Sequence, residues 1–217
     1  MLLEVRAVAP FYKNGFVVGC ERTHDAIIID PGDEIGELLP VVDALDVTVL
    51  AILLTHAHLD HISGVATAKA RFDAPVYLHR DDLFLYERIV EQGAMFGLPM
   101  TEQPPVDIFY DESPIVFGDY DVRVHHTPGH CPGEVCLEVG RQEESVRELF
   151  VGDTLFAGSI GRTDLPGGDH TTLMRSITEV LFALGDNAIV HPGHGPDTTI
   201  ARERSSNPFV LEYLKAR

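Results

Sequence analysis

Three histidines and an aspartate fall within Thr55-His56-Ala57-His58-Leu59-Asp60-His61, directly after the apolar run Val49 to Leu54. Imidazole nitrogen and carboxylate oxygen are the donors that zinc, iron and manganese accept, and the end of a buried strand is a rigid base from which to present them. A chance cluster of solvated histidines is the competing explanation, but such groups have no reason to crowd the end of a core strand. The stretch therefore reads as metal ligands.

The same design recurs downstream. Val122 to His126 leads into Thr127-Pro128-Gly129-His130, Leu149 to Val151 into Gly152-Asp153, and Ala188 to Val190 into His191-Pro192-Gly193-His194-Gly195. Glycine and proline at these points let the backbone turn sharply and hold a ligand at the tip. Four such strand ends on one edge of two sheets would gather seven groups: His56, His58, Asp60, His61, His130, Asp153 and His194. Seven exceed one tetrahedral ion but suit two metals sharing a carboxylate. The expected division is His56, His58 and His130 on one ion, Asp60, His61 and His194 on the other, and Asp153 between them. Two cations with an open position each would lower the pKa of a shared water enough to supply hydroxide at neutral pH. Zinc is the expected metal, with iron or manganese as alternatives.

The elements that must position these groups follow from periodicity. Leu2 to Val8 reads as a strand, and Gly15 to Cys20 with Ala26 to Ile29 as a hairpin turning at Glu21 to Asp25. Apolar residues at spacings of three and four predict a helix over Asp33 to Leu45, before the strand Val47 to Leu54. Ile62 to Arg71 predicts a helix that leaves Asp60 and His61 at or just before its N-terminus, followed by a short strand ending at Leu78 and an amphipathic helix over Asp81 to Gly97. Leu98 to Pro105 reads as a loop rather than a pocket border. Strands are expected at Pro114 to Phe117, Tyr120 to His126, Gly133 to Val139, Glu148 to Val151 and Asn187 to Val190. A glycine-rich segment fills Gly152 to Asp169, Thr171 or Thr172 is expected to cap a helix through Leu184, and Asn207-Pro208 to start a final helix. Such a chain can pack as two sheets with helices outside.

The 217 residues are 45% hydrophobic and 23% charged, as expected of a soluble globular protein, and are read as one domain, 1–217. With 34 acidic against 16 basic side chains the formal charge is -18, a field that repels phosphate backbones and argues against nucleic acid as a partner. Cys20, Cys131 and Cys136 make no Cys-x-x-Cys pair and no even-numbered framework. With no signal peptide and no bilayer-length apolar span, the expectation is a cytoplasmic protein without a membrane partner, monomeric or homodimeric. Among the remaining histidines, His126 and His191 stand near the ligands, open between holding them and plain packing, while His24, His79 and His170 read as surface or capping groups.

Thr55 to His61 with downstream His130, Asp153 and His194 resembles the metallo-β-lactamase superfamily, and every ligand position of that two-metal pattern is filled. That match extends to Asp30-Pro31-Gly32 and His126-Thr127-Pro128-Gly129-His130, and Gly161-Arg162-Thr163-Asp164, Thr198-Thr199-Ile200, Glu203-Arg204 and Asn207-Pro208-Phe209 are similar to segments of short bacterial glyoxalase II relatives, the hydroxyacylglutathione hydrolase-like proteins. The resemblance implies an α+β fold, a four-layer αβ/βα sandwich of two mixed sheets. It also implies hydrolysis of S-lactoylglutathione or a related small acyl thioester, and the position of Asp60 makes it both an expected ligand and the group expected to orient the hydroxide. Arg162 and Asp164 are candidate substrate contacts that could instead form a structural ion pair. Lactam hydrolysis is not carried over, because the commonest dizinc β-lactamases have cysteine where Asp153 stands. The sequence ends at Arg217, without the basic and aromatic C-terminal extension by which glyoxalase II proper binds glutathione. Persulfide dioxygenases share the histidine motif and a similar Gly-Arg-Thr-Asp segment; that rival would place one iron on His56, His130 and Asp153. A non-catalytic metal-binding module is the third reading.

Overall fold

A computed structural model describes residues 1–111, 113–141 and 146–216. Its contacts divide into two compact units, Met1–Asp111 with Ile115–Tyr120, and Glu112–Pro114 with Asp121–Arg217.

The first unit is built on a mixed sheet. β1 (Leu2–Arg6), β2 (Gly15–Gly19) and β3 (Asp25–Ile29) form an antiparallel meander, and β4 (Thr48–Leu53), β5 (Val76–Leu78) and β6 (Ile108–Phe109) continue it in parallel, in the order β1-β2-β3-β4-β5-β6. The run Ala26 to Ile29 is apolar on both faces because both are covered, and all four residues are fully buried. The parallel step from β3 to β4 needs a crossover, which α1 (Ile35–Leu45) supplies, burying Ile35, Leu38, Val41 and Val42. Ile29 pairs with Leu53, so Asp30 and the Thr55 to His61 stretch leave the sheet side by side.

Two helix expectations are corrected here. Asp60 and His61 lie inside a single helical turn, α2 (Leu59–Ile62), which Ser63 and Gly64 separate from α3 (Val65–Phe72), rather than before one continuous helix. The break lets the Gly64 N–H donate to the Pro31 carbonyl at 2.9 Å. The amphipathic stretch Asp81 to Gly97 is a 3₁₀ turn, Arg80–Asp82, then α4 (Leu83–Tyr86) and α5 (Ile89–Met95). The bend at Glu87 and Arg88 turns Gln92 back toward Leu85, whose carbonyl accepts from its side-chain amide at 2.9 Å. Leu98 to Pro105 is irregular, and it also borders a cavity of about 450 Å³ lined by Tyr86, Gln103, Pro105 and Phe109, so the segment is both loop and pocket wall. β7 (Ile115–Phe117) completes the unit's strands.

In the second unit β8 (Tyr120–His126), β9 (Val135–Gly140) and β10 (Glu148–Phe150) are antiparallel neighbours. A small hairpin of β11 (Leu155–Phe156) and β12 (Ser159–Ile160) stands inside the segment expected to be glycine-rich loop. β13 (Ile189–His191) lies parallel to β10, and β14 (Thr198–Thr199) pairs with it antiparallel. The connection between β10 and β13 contains α6 (His170–Arg175), which continues as a π segment, Ser176–Val180, and a 3₁₀ turn, Leu181–Leu184. Its cap is neither Thr171 nor Thr172: the Asp169 carboxylate accepts from the Thr172 N–H at 2.7 Å. α7 (Ile200–Ser206) and α8 (Pro208–Lys215) close the chain, with proline at the start of α8 and Val210 buried in a core with Leu149, Val151, Met174, Ile177 and Val190. Among the described residues no helix is long and apolar enough to cross a membrane.

Candidate metal centre

In the first unit the histidine stretch follows β4, and its four candidate ligands are held by groups from three other segments. His56 and His61 are completely buried, with ring centroids 4.0 Å apart; His58 stands 4.9 Å from His56. Asp30, at the end of β3, accepts on one carboxylate oxygen from the Thr55 N–H at 2.7 Å, and on the other from the Thr55 hydroxyl at 2.6 Å and from His61 Nδ1 at 2.9 Å. Because the Thr55 hydroxyl donates to Asp30, its oxygen is left to accept from His56 Nδ1, 3.1 Å away. One carboxylate thus keeps a proton on Nδ1 of both imidazoles and turns both Nε2 lone pairs outward, as metal ligation requires.

The backbone around His58 is held separately. Asp82, fully buried, accepts from the Ala57 N–H at 3.1 Å. The Gln92 amide accepts from the Leu59 N–H at 3.0 Å and donates to the Ala57 carbonyl at 2.9 Å, gripping the chain on both sides of His58.

The second unit presents its groups at the ends of β8, β10 and β13. His130 Nδ1 donates to the Arg162 carbonyl at 2.7 Å, so its Nε2 also bears the lone pair. The turn that aims it needs Gly129, which has φ 137° and so little room that a Cβ would stand 2.2 Å from the Leu173 nitrogen. Asp153 is positioned through its N–H, which donates to the buried Glu134 carboxylate at 2.6 Å.

Donor separations test the fit to a metal. His130 Nε2 and His194 Nε2 lie 3.7 and 3.6 Å from Asp153 Oδ2, and His61 Nε2 lies 3.9 Å from Asp60 Oδ2. These are long for hydrogen bonds, yet two donors on one zinc-sized ion stand roughly 3.4 Å apart or somewhat more as the angle opens. The chain carries clusters of His and Asp able to hold metal.

Arg162 and Asp164 were singled out for their side chains, and those make a two-pronged ion pair with each other, both contacts at 2.7 Å, exposed to solvent. The pair holds Asp164 below the usual carboxylate range, chiefly through the Arg162 hydrogen bond. It is the Arg162 carbonyl that holds a candidate ligand, His130. Sequence reasoning missed Asp82, Gln92 and Glu134 altogether. Asp30 figured only in the Asp30-Pro31-Gly32 resemblance, although a carboxylate directly after the buried run Ala26 to Ile29 was an available signal; in the structure it takes a left-handed conformation, φ 51°.

His79 accepts from the Asp81 N–H, a capping role, and His24 is exposed on the Asp46 carbonyl. All three cysteines are buried and none is joined in a disulfide among the described residues; burial pushes the Cys136 thiol well up, consistent with packing rather than reactivity.

A sequence profile of the Metallo-beta-lactamase superfamily matches residues 8–194. Hydroxyacylglutathione hydrolase GloC of Haemophilus influenzae is 38% identical over 213 residues, 97% of this chain and 98% of the relative. Among solved structures, the BLEG-1 B3 metallo-beta-lactamase superposes with a TM-score of 0.87 at 39% identity, covering 96% of this chain and 99% of its own. TTHA1623, solved in a di-iron-bound form, gives 0.83 at 40% identity, covering 95% and 99%. With the profile spanning both units and relatives similar over nearly the whole chain, the chain belongs to the metallo-β-lactamase superfamily and has its fold.

Proposed function

We propose that the protein is a binuclear metal-dependent thioester hydrolase of the glyoxalase II kind, acting on S-lactoylglutathione or a related small acyl thioester. The observation that carries the reading is the completeness of the ligand set. The sequence carries Asp60, His61 and His194 as well as His56, His58, His130 and Asp153, enough donors for two ions rather than one. The likeness to GloC over nearly the whole chain supports the thioester class, and the di-iron form of TTHA1623 supports a pair of ions.

Two ions bound at these residues would activate water and stabilise the oxyanion of acyl transfer. The protein's part is to keep Nε2 of His56, His61 and His130 deprotonated, which Asp30, Thr55 and the Arg162 carbonyl do by accepting from Nδ1. Asp60 offers a carboxylate oxygen that can accept a hydrogen bond from the attacking water and aim it at the acyl carbon. The carbon–sulfur bond then breaks, and because a thiolate leaves readily no strong acid has to protonate it.

The test is metal analysis of protein purified without added metal, paired with assays on S-lactoylglutathione, a β-lactam as the comparison that BLEG-1 suggests, and glutathione persulfide. The expected result is two metal equivalents, oxygen-independent thioester hydrolysis, and loss of at least 100-fold in kcat on Asp60→Ala, the scale of removing one transition-state contact. One bound iron with sulfite production and oxygen uptake on the persulfide would overturn it in favour of the dioxygenase.

A further inference from the structure

His130 and Asp153 are candidate ligands that both metal readings use: the hydrolase sets Asp153 between its ions, and the dioxygenase puts both residues on one iron. Their donor atoms, Nε2 and Oδ2, stand 3.7 Å apart, the spacing of two ligands on one ion rather than of a hydrogen bond. Keeping that spacing requires two separate turns to be held together. The turn that carries His130 is seated on the helix α6. Positions 169, 173 and 176 fall on one stripe of that helix, and each meets Pro128 or Gly129. The Asp169 N–H donates to the Gly129 carbonyl at 2.8 Å, Gly129 lies against the Leu173 backbone, and the buried Ser176 donates its hydroxyl to the Pro128 carbonyl at 2.7 Å.

Glu134 joins the second turn to the first. Its carbonyl accepts from the Thr127 N–H at 2.8 Å, and its carboxylate accepts from the Asp153 N–H at 2.6 Å. The Thr154 hydroxyl donates to the Thr127 hydroxyl at 3.3 Å, so Glu134, Asp153, Thr154 and Thr127 close a ring that runs from one ligand turn to the other and back. Thr127, Glu134 and Thr154 are all completely buried. Bonded polar groups in a core add modestly to net stability, and apolar groups of the same shape can serve as well for that purpose. What such a ring supplies is a single fixed arrangement of the chain.

We infer that Glu134 is a positioning residue for the metal centre: through the Asp153 N–H it ties Asp153 to the His130 turn and thereby sets the separation of the two ligands. The inference rests on His130 and Asp153 being ligands and is independent of how many ions they serve.

The experiment is titration of apo-protein with zinc by calorimetry, and with cobalt(II) followed by its visible spectrum, which reports the geometry of the ligands. Glu134→Leu should weaken zinc binding 10–100-fold, the scale found when a ligand's hydrogen-bonded support is lost, and should alter the cobalt spectrum. Glu134→Gln keeps an oxygen that can accept from Asp153 and should restore both. Asn207→Ala, a destabilising change in α8 away from this ring, should leave both as in wild type. Wild-type affinity and spectrum in Glu134→Leu would overturn the inference; so would a Gln variant as impaired as the Leu one, or an equal loss in Asn207→Ala, which would trace the effect to stability and not to position. Should Glu134→Leu not fold, Thr154→Val opens the ring on its other side: weaker binding with an altered spectrum supports the inference, and wild-type behaviour overturns it. A wild-type protein that binds a single equivalent would overturn the two-metal proposal and leave this one standing, whereas one that binds neither zinc nor cobalt would overturn both.

Discussion

His191 shows how much one side chain's partners decide. It is buried to 4% exposure and stacked on Phe150 at 4.8 Å, the surroundings of a packing residue. Yet both ring nitrogens meet carboxylates, Nε2 at 2.7 Å from Glu148 and Nδ1 at 3.0 Å from Asp197. Burial by itself would lower the imidazole's pKa, but the hydrogen bonds and charges of Glu148 and Asp197 outweigh it and raise it. A group whose folded pKa lies above its unfolded value binds more protons when folded, so its contribution is complete below the unfolded value of about 6.5 and fades as pH rises through the folded one. His191→Gln should cost about 1–3 kcal/mol below pH 6.5, the price of leaving buried partners unmatched. The gap to wild type should then narrow steadily toward pH 9 in urea titrations; a gap that widens with pH would show that the neutral ring is the one the fold prefers. His126, equally open in the sequence, is exposed and bonds the Pro132 carbonyl through Nε2.

At the scale of elements, Asn207 does more than start α8. Its Oδ1 accepts from the Phe209 and Val210 N–H groups, and its Nδ2 donates to the Ser159 carbonyl and to Glu203, both at 2.9 Å. Glu203 is fully buried and also accepts from Thr198 at 2.6 Å and from the Gly158 N–H at 2.8 Å, which ties α7, β14 and the β11–β12 turn to one carboxylate. Asn207→Ala loses a cap, worth about 1 kcal/mol, and a donor to a buried charge, worth about 1–2 more. Urea denaturation should show a lower midpoint at unchanged slope, by roughly 2–3 kcal/mol. The cap itself was legible, since Asn-Pro ahead of an apolar run is a start signal, and so were the β-strands that precede the candidate ligands, because continuous apolar runs ending at turn residues are a strand signal. What was not legible is where tertiary bonds outweigh local periodicity. Asp81 to Gly97 carries an unbroken helical pattern, but Gln92 and Asp82 are recruited by a loop some 25 to 35 residues away, and the helix bends to allow it. The β11–β12 hairpin is two residues per strand, too short for any alternation to register. Lys13 and Glu34, buried and bonded to each other, stand 21 residues apart, and nothing in either neighbourhood announces the pairing.

For the whole molecule the controlling quantity is charge. At -18, with bound divalent ions offsetting only part, the surface repels anions at long range, whereas the proposed substrate class is rich in them: S-lactoylglutathione carries two carboxylates. Capture of such a substrate works against the field even though the metals attract it at contact. Added salt shortens the reach of the field, from about 30 Å at 0.01 M ionic strength to about 8 Å at 0.15 M, while the contact interactions in a partly buried site are screened much less. Raising sodium chloride from about 10 to about 150 mM should therefore increase kcat/KM for S-lactoylglutathione several-fold, mostly through KM, and leave kcat/KM for an uncharged thioester nearly unchanged. A fall with salt for the anionic substrate alone would mean that a local positive patch, and not the net charge, governs its approach. The surface arginines are the place to look for one: Arg162 is committed to Asp164 and Arg22 to Asp119, so a substrate carboxylate could recruit either only by displacing a carboxylate already in place. The neutral thioester distinguishes the two cases, because it reports on the chemical step without feeling either field.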